Sequence, residues 1–167
     1  MTEIAPSVYL DHAATTSMWP EAVEVMQQEF LRTGNPSSLH EAGRRAKRVV
    51  EESRELIAER LGARPSEVVF CSGGTEANNL AIKGLYWARR SADPLRDRVL
   101  FSSIEHHALL DPVTWLAAHE QARIDVTPVD RQGRIRLDAL REAIEADPAD
   151  VAAITTMWAN TEMGTIQ

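Results

Sequence analysis

Cysteine is almost missing from this 167-residue chain: Cys71 is the single copy. Neither a disulfide framework nor a cysteine-rich metal site can be assembled within it. Lysine is nearly as scarce, with Lys47 and Lys83 alone, and the 18 basic residues are outnumbered by 25 acidic ones. The formal net charge of −7 argues against nucleic acid or an anionic membrane as the main partner, since either favours a basic face. No apolar run approaches the roughly 18 residues of a membrane span. The opening Met1-Thr2-Glu3-Ile4-Ala5-Pro6 lacks the basic and apolar regions of a secretory signal, so the cytoplasm is the default expectation. Internal repeats and low-complexity segments are absent as well.

What remains is an ordinary globular composition, 44% hydrophobic and 26% charged, on a chain long enough for one domain with a real core. The one basic cluster, Arg44-Arg45-Ala46-Lys47-Arg48, is followed by Glu51, Glu52 and Glu55. Lys47 with Glu51 and Arg48 with Glu52 are expected as i,i+4 pairs on a solvated helix face.

Periodicity predicts a regular alternation. Pro20 suits a first helical position, and a helix over 21–31 follows, ending near Gly34. Asn35-Pro36-Ser37-Ser38 is turn chemistry. Ala42, Ala46, Val49, Val50, Ser53, Leu56, Ile57 and Leu61 make one helical stripe, which Gly62 is placed to stop. Strands are expected at 67–71, 99–102, 124–129 and 151–156, with helices at 75–90, 107–120 and 137–146 between them and a turn at 130–133. Strand–helix alternation with short links means an α/β fold, with helices on both faces of a mostly parallel sheet. The pattern stops at Gln167 in loop chemistry, which reads as an incomplete domain.

The richest stretch is Val68-Val69-Phe70-Cys71-Ser72-Gly73-Gly74-Thr75-Glu76. An apolar run turns through two glycines straight into a helix. Glycine permits close backbone approach and unusual dihedrals, and a helix start offers unpaired N–H groups and a positive dipole end. A phosphate is the usual guest of such a turn, although many strand-to-helix turns carry Gly-Gly for geometry alone. Other motifs fail. Arg123 stands where His119-Glu120 would need a second zinc-binding histidine, Glu105-His106-His107 lacks further metal ligands, and Gly73-Gly74-Thr75 lacks the Gly-Lys-Ser/Thr ending of a P-loop.

Five blocks carry a resemblance. They are Tyr9-Leu10-Asp11-His12-Ala13-Ala14-Thr15-Thr16, Gly34-Asn35-Pro36-Ser37-Ser38-Leu39-His40, the stretch from Ser72 to Gly84, Glu105-His106-His107-Ala108-Leu109, and the stretch from Met157 to Thr165. In this order and at these separations, the chain resembles the cysteine desulfurases, pyridoxal-phosphate enzymes related to the aminotransferases. The resemblance implies the pyridoxal-phosphate transferase large-domain fold over 17–167, preceded by a segment over 1–16 that belongs to the small domain or lines the active site. It implies pyridoxal 5'-phosphate as cofactor. Gly74 and Thr75 would cradle its phosphate. His106 would stack on its ring and move protons, and Asn160 would hydrogen-bond its phenolic oxygen. Read on spacing alone, His106 or His107 is an ordinary polar residue at a helix entrance, and Asn160 a turn residue capping its loop. Thr161 stands where the family usually has a second asparagine. Asn35 to Ser38 and His12 to Thr15 would line the site.

The activity implied is removal of sulfur from L-cysteine, giving alanine and an enzyme persulfide for a sulfur acceptor in iron–sulfur assembly or tRNA thiolation. The implied active unit is a homodimer that binds no nucleic acid directly. A selenocysteine lyase or an aminotransferase on the same scaffold, or a truncated non-catalytic product, are the alternatives. Neither lysine lies in the family's Ser-x-His-Lys context, so neither is assigned to the Schiff base. The resemblance places that lysine after Gln167, together with the pyridine-binding Asp, the Gln facing the phenolic oxygen, the loop cysteine and the carboxylate-gripping arginine. Lys83 lies about 12 Å along the helix from Thr75. Cys71, ending an apolar run, reads as a small core residue and not as a sulfur carrier.

Overall fold

The structure is a computed structural model and describes residues 8–167. The segment 1–6 read above for a secretory signal lies outside the described residues. Two compact units are distinguished, Met1–Phe70 and Cys71–Gln167. No helix among the described residues is long and apolar enough to cross a membrane.

The first unit is helical. Helix α1 (Pro20–Phe30) starts on proline at its first position, where the missing N–H is no loss. Helix α2 (Glu41–Leu61) is capped at its start by His40, whose Nδ1 accepts the N–H of Gly43 at 3.3 Å. It is closed by Gly62 in the left-handed region, φ 65°. Asn35 organises the preceding turn, with Oδ1 receiving the N–H of Ser37 and its carbonyl receiving that of Ser38, both at 2.9 Å. Gly43 packs so closely on this turn that a Cβ there would overlap the carbonyl oxygen of Ser38 and stand 2.7 Å from that of Asn35.

Three expectations change in this unit. The strand at 67–71 does not form: Pro65–Glu67 is a short 3-10 turn, and residues 68–71 are extended but belong to no ladder. The carbonyl of Val68 is taken by the guanidinium of Arg54, which also lies over the Phe70 ring. Glu51 pairs with Arg54 at i,i+3 (3.2 Å), and no pairing of Lys47 with Glu51 or of Arg48 with Glu52 is formed. The apolar stripe of α2 is only partly used, because Leu56, Ile57 and Leu61 are exposed while Gly43 and Ala58 are buried.

The second unit follows the expected alternation: α3 (Gly74–Ala92), β1 (Arg98–Ser102), α4 (His107–Glu120), β2 (Arg123–Thr127), α5 (Leu137–Ala146) and β3 (Val151–Thr155). All pairings are parallel, in the order β2-β1-β3. The central strand β1 is buried along its whole length, and its middle, Val99 to Phe101, is apolar on both faces. Val99 and Phe101 face α3 and α4, in a core with Ile82, Tyr86, Leu109, Val113 and Leu116. Arg98 and Leu100 point to the opposite face. There the Arg98 guanidinium reaches the carbonyls of Ala143 (2.7 Å) and Asp147 (3.1 Å) at the end of α5. The expected coverage of both faces is therefore present.

Arg98 is 7% and Asp150 3% exposed. Nε of Arg98 bonds Asp150 at 2.8 Å and Nη1 bonds Asp125 at 2.9 Å, while Arg123 bridges Asp97 and Asp150 at 2.7 Å each. These two carboxylates push the Arg123 guanidinium further above its already high range. The network closes the amino-terminal end of the sheet and leaves the carboxyl-terminal end for chemistry.

Candidate functional site

In parallel α/β sheets ligands settle outside the carboxyl ends of the strands, where the strand order reverses. In the second unit the chain runs outward from β1 to β2, then returns past β1 to β3. The crevice at issue lies beyond Ser102 and Thr155. Helix α3 packs on β3 and α4 and enters β1 through a five-residue link, residues 93–97, so it runs antiparallel to the strands. Its first turn therefore stands at the carboxyl end of the sheet. Three segments are directed to that end: the Ser72–Thr75 turn, residues 103–107 and residues 156–160.

The turn is open. Gly73 is the N-cap of α3, no side chain caps the helix, and a Cβ on Gly73 or Gly74 would meet nothing within 4 Å. Gly73 is plainly extended, φ 169°, and Gly74 is helical. The unusual dihedrals expected of these glycines are not used. What they contribute is bare backbone, since the N–H groups of the first turn have no intrahelical acceptor. Glu76 secures the turn from the third helical position: its Oε2 accepts both the N–H and the hydroxyl of Ser72, each at 2.6 Å. Those two bonds, the hydroxyl first, hold the Glu76 carboxyl below its ordinary pKa. The carboxylate is thereby engaged with Ser72, and the Thr75 hydroxyl takes no hydrogen bond within the described chain.

His106 caps α4, with Nδ1 accepting the N–H of Ala108 at 3.0 Å. The bond makes Nδ1 an acceptor, so in the neutral ring the proton sits on Nε2. The ring is exposed, and His107 stands beside it edge-on, 6.4 Å between centroids.

Asn160 is 6% exposed and knits the loop after β3. Its Oδ1 receives the N–H groups of Glu162 (3.0 Å) and Met163 (2.8 Å), while its main chain exchanges bonds with Thr165 and Gly164. Nδ2 donates to the carbonyl of Ile104 at 3.1 Å and stands 3.5 Å from Sδ of Met157. One amide thus ties the loop after β3 to the segment carrying His106. Sulfur is a weak acceptor, so the N–H facing Met157 is the one a better acceptor could claim.

Sequence reasoning names Glu105 only within a block and a rejected metal motif, and gives it no role. Its Oε1 is shut off from solvent and has no partner among the described residues. Burial raises its pKa, while the N–H groups of Met157 and His106 act in the other direction. The available signal was a carboxylate placed just after an apolar strand, where a buried charge is costly. Lys83 is engaged away from the turn, its Nζ 4.2 Å from the centroid of Trp115 on α4. Cys71 is half-buried.

A family model for class-V aminotransferases matches residues 8–167. The chain belongs to the class-V aminotransferase family. It is 55% identical over 158 residues to an IscS-like cysteine desulfurase of Mycobacterium tuberculosis, covering 95% of this chain and 40% of that protein. It is 43% identical to the cysteine desulfurase IscS of Dictyoglomus turgidum, covering 96% of this chain and 39% of that protein. Among solved structures, SspA in complex with cysteine superposes with a TM-score of 0.82 at 34% identity, over 96% of this chain and 45% of that one. The chain thus spans about two-fifths of the length of these relatives. The resemblance drawn from the five blocks holds, and the α/β fold is that of NifS-like pyridoxal-phosphate enzymes.

Proposed function

We propose that the second unit carries the phosphate and ring contacts of a pyridoxal-phosphate site, and that the protein acts as a cysteine desulfurase. The observation that carries this reading is the start of α3: uncapped by any side chain, bare of Cβ interference, and at the same end of the sheet as His106 and Asn160. A phosphate dianion fits such a place, since it takes main-chain N–H groups and a hydroxyl without a competing side chain.

Gly74 and Thr75 would hold the phosphate through their N–H groups and the Thr75 hydroxyl. His106 would lie against the ring, with Nε2 as the atom that gives or takes a proton. Asn160 would offer the Nδ2 hydrogen now facing Met157 to the phenolic oxygen. When bound, the cofactor supplies an electron sink for bonds broken at the substrate. The substrate is L-cysteine, which leaves as alanine, and its sulfur passes to an acceptor protein serving iron–sulfur assembly or tRNA thiolation. The names of the relatives support the desulfurase reading. A homodimer in the cytoplasm completes the proposal.

Thr75→Ala tests the phosphate assignment. Losing one hydrogen bond to a charged group costs about 1.5–3 kcal/mol, so pyridoxal phosphate should bind at least roughly tenfold more weakly. Equilibrium dialysis measures this, and unchanged affinity removes the assignment. Alanine and sulfur release from L-cysteine by the native protein tests the activity separately. Transamination products in their place would move the protein elsewhere in its family.

A further inference from the structure

Asn160 is fixed to the segment after β1 by its own amide, through the carbonyl of Ile104. A second attachment ties its loop to the element after β2, and the site as proposed gives that attachment no task. After β2 the chain makes a tight hairpin over residues 128–136. Val129 bridges Ile135 in antiparallel fashion, and Oδ1 of Asp130 accepts the N–H groups of Gln132 (2.8 Å) and Arg134 (2.9 Å). After β3, residues 158–167 fold back on themselves. Ala159 bridges Ile166, and the N–H groups of Asn160 and Gln167 donate to the carbonyls of Thr165 (2.8 Å) and Trp158 (3.0 Å). The side chain of Gln167 joins these two pieces. Its Oε1 accepts the N–H of Ile135 at 2.8 Å, and its Nε2 donates to the carbonyl of Gly133 at 2.9 Å. The Thr165 hydroxyl donates to the neighbouring carbonyl of Gln132. Gly133, at φ 78°, lies buried in this contact, where a Cβ would stand 3.0 Å from Cε of Met163 and 3.2 Å from Oγ1 of Thr165.

We propose that Gln167 is a positioning residue for Asn160: it pins the returning arm of the loop after β3 to the hairpin after β2, and so holds the Asn160 amide at a fixed place at the carboxyl end of the sheet. The order β2-β1-β3 puts β1 between the two joined elements. The tie therefore links the continuations of both outer strands across the central one, whose own continuation carries Ile104 and His106. Gln167 touches neither substrate nor cofactor in this role. Its purpose rests on the reading of Asn160 given above, whereas the tie itself is made of protein atoms alone. The chemistry calls for a primary amide. One end must accept and the other donate, and only one orientation of the group serves an N–H and a carbonyl together. Glutamate keeps the acceptor but turns an oxygen toward the Gly133 carbonyl, and alanine serves neither partner.

The test uses the native protein labelled with 15N at asparagine, comparing the parent with Gln167→Glu and Gln167→Ala. In proton–nitrogen correlation spectra both variants should displace the side-chain amide signals of Asn160. Those of Asn79, which bonds the carbonyl of Thr75 on α3, should stay in place. Both variants should also weaken pyridoxal phosphate binding, alanine by about threefold to tenfold, the effect of losing one neutral hydrogen bond. Binding of inorganic phosphate should be unchanged, since Asn160 does not serve the phosphate. Adding Gln167→Ala to Asn160→Ala should weaken pyridoxal phosphate binding no further, because the two act through one amide. Should Asn160→Ala fail to fold, the spectra and the two ligands on the Gln167 variants still decide. Unmoved Asn160 signals in Gln167→Ala, even with a lowered melting temperature, would reduce Gln167 to a surface tie and overturn the proposal. So would an equal loss of both ligands, or losses that add in the double variant. An Asn160→Ala protein that binds pyridoxal phosphate as tightly as the parent would instead sink the reading of Asn160, with displaced amide signals still supporting the tie.

Discussion

At the scale of single residues, two carboxyl groups are shifted in opposite directions for opposite reasons. Glu76 is exposed and accepts two bonds from Ser72, which lower its pKa. Its contribution is present above the ordinary glutamate value and is lost as pH falls through the lowered folded one. Glu105 is partly buried and its pKa is raised, burial being the main cause. Here the folded protein holds the proton more tightly than the unfolded chain does. The associated stability is complete below the ordinary glutamate pKa and declines as pH rises through the folded value. Glu105→Gln should therefore be less pH-sensitive than the parent, with its relative stability improving as pH rises from the ordinary carboxylate range toward neutrality. Urea titrations at several pH values measure this, and a parent and variant whose difference does not vary with pH would contradict it. Gly74, Thr75, His106 and Asn160 are proposed from sequence because each sits in a block with fixed neighbours. The burial of Glu105 is not legible in the same way, because it comes from tertiary packing and not from neighbours in sequence.

Among the elements, the helices were the most legible. Leu137–Ala146 and His107–Glu120 fall where periodicity places them, and Gly62 takes the left-handed turn expected of it. Local signals suffice there because each helix bonds to itself. The run at 68–71 differs for the complementary reason: its apolar composition is right for a strand, but a strand is defined by a ladder, and composition does not encode one. The Glu51 pairing was misread because three- and four-residue spacings compete on a helix surface, and Arg54 won over Lys47. The join between the turn at Asn35–Ser38 and α2 has a sharper requirement, because Gly43 sits against two carbonyl oxygens of that turn. Gly43→Ala forces them apart. It should destabilise the protein by about 1–3 kcal/mol, the usual cost of overpacking, measured by thermal or denaturant unfolding. A neutral or stabilising alanine would contradict that packing.

Over the whole molecule, polar chemistry divides between the two ends of the sheet. The buried Arg98–Asp150 network joins β1, β2 and the end of α5 at one end, and the proposed phosphate turn, His106 and Asn160 stand at the other. The competing place for a ligand is in the first unit, a cavity of about 210 Å³ lined by Glu29, Arg32, Gly34, Arg45 and Val49 among others, with Arg32 already paired to Glu29. The two places make different forecasts for the same experiment. Amide proton–nitrogen spectra of the protein, recorded as pyridoxal phosphate is added, should change most at Gly74 and Thr75, with smaller changes at His106. Changes confined to Arg32, Arg45 and their neighbours, with Gly74 and Thr75 silent, would contradict the assignment of the α3 turn as the cofactor's phosphate site.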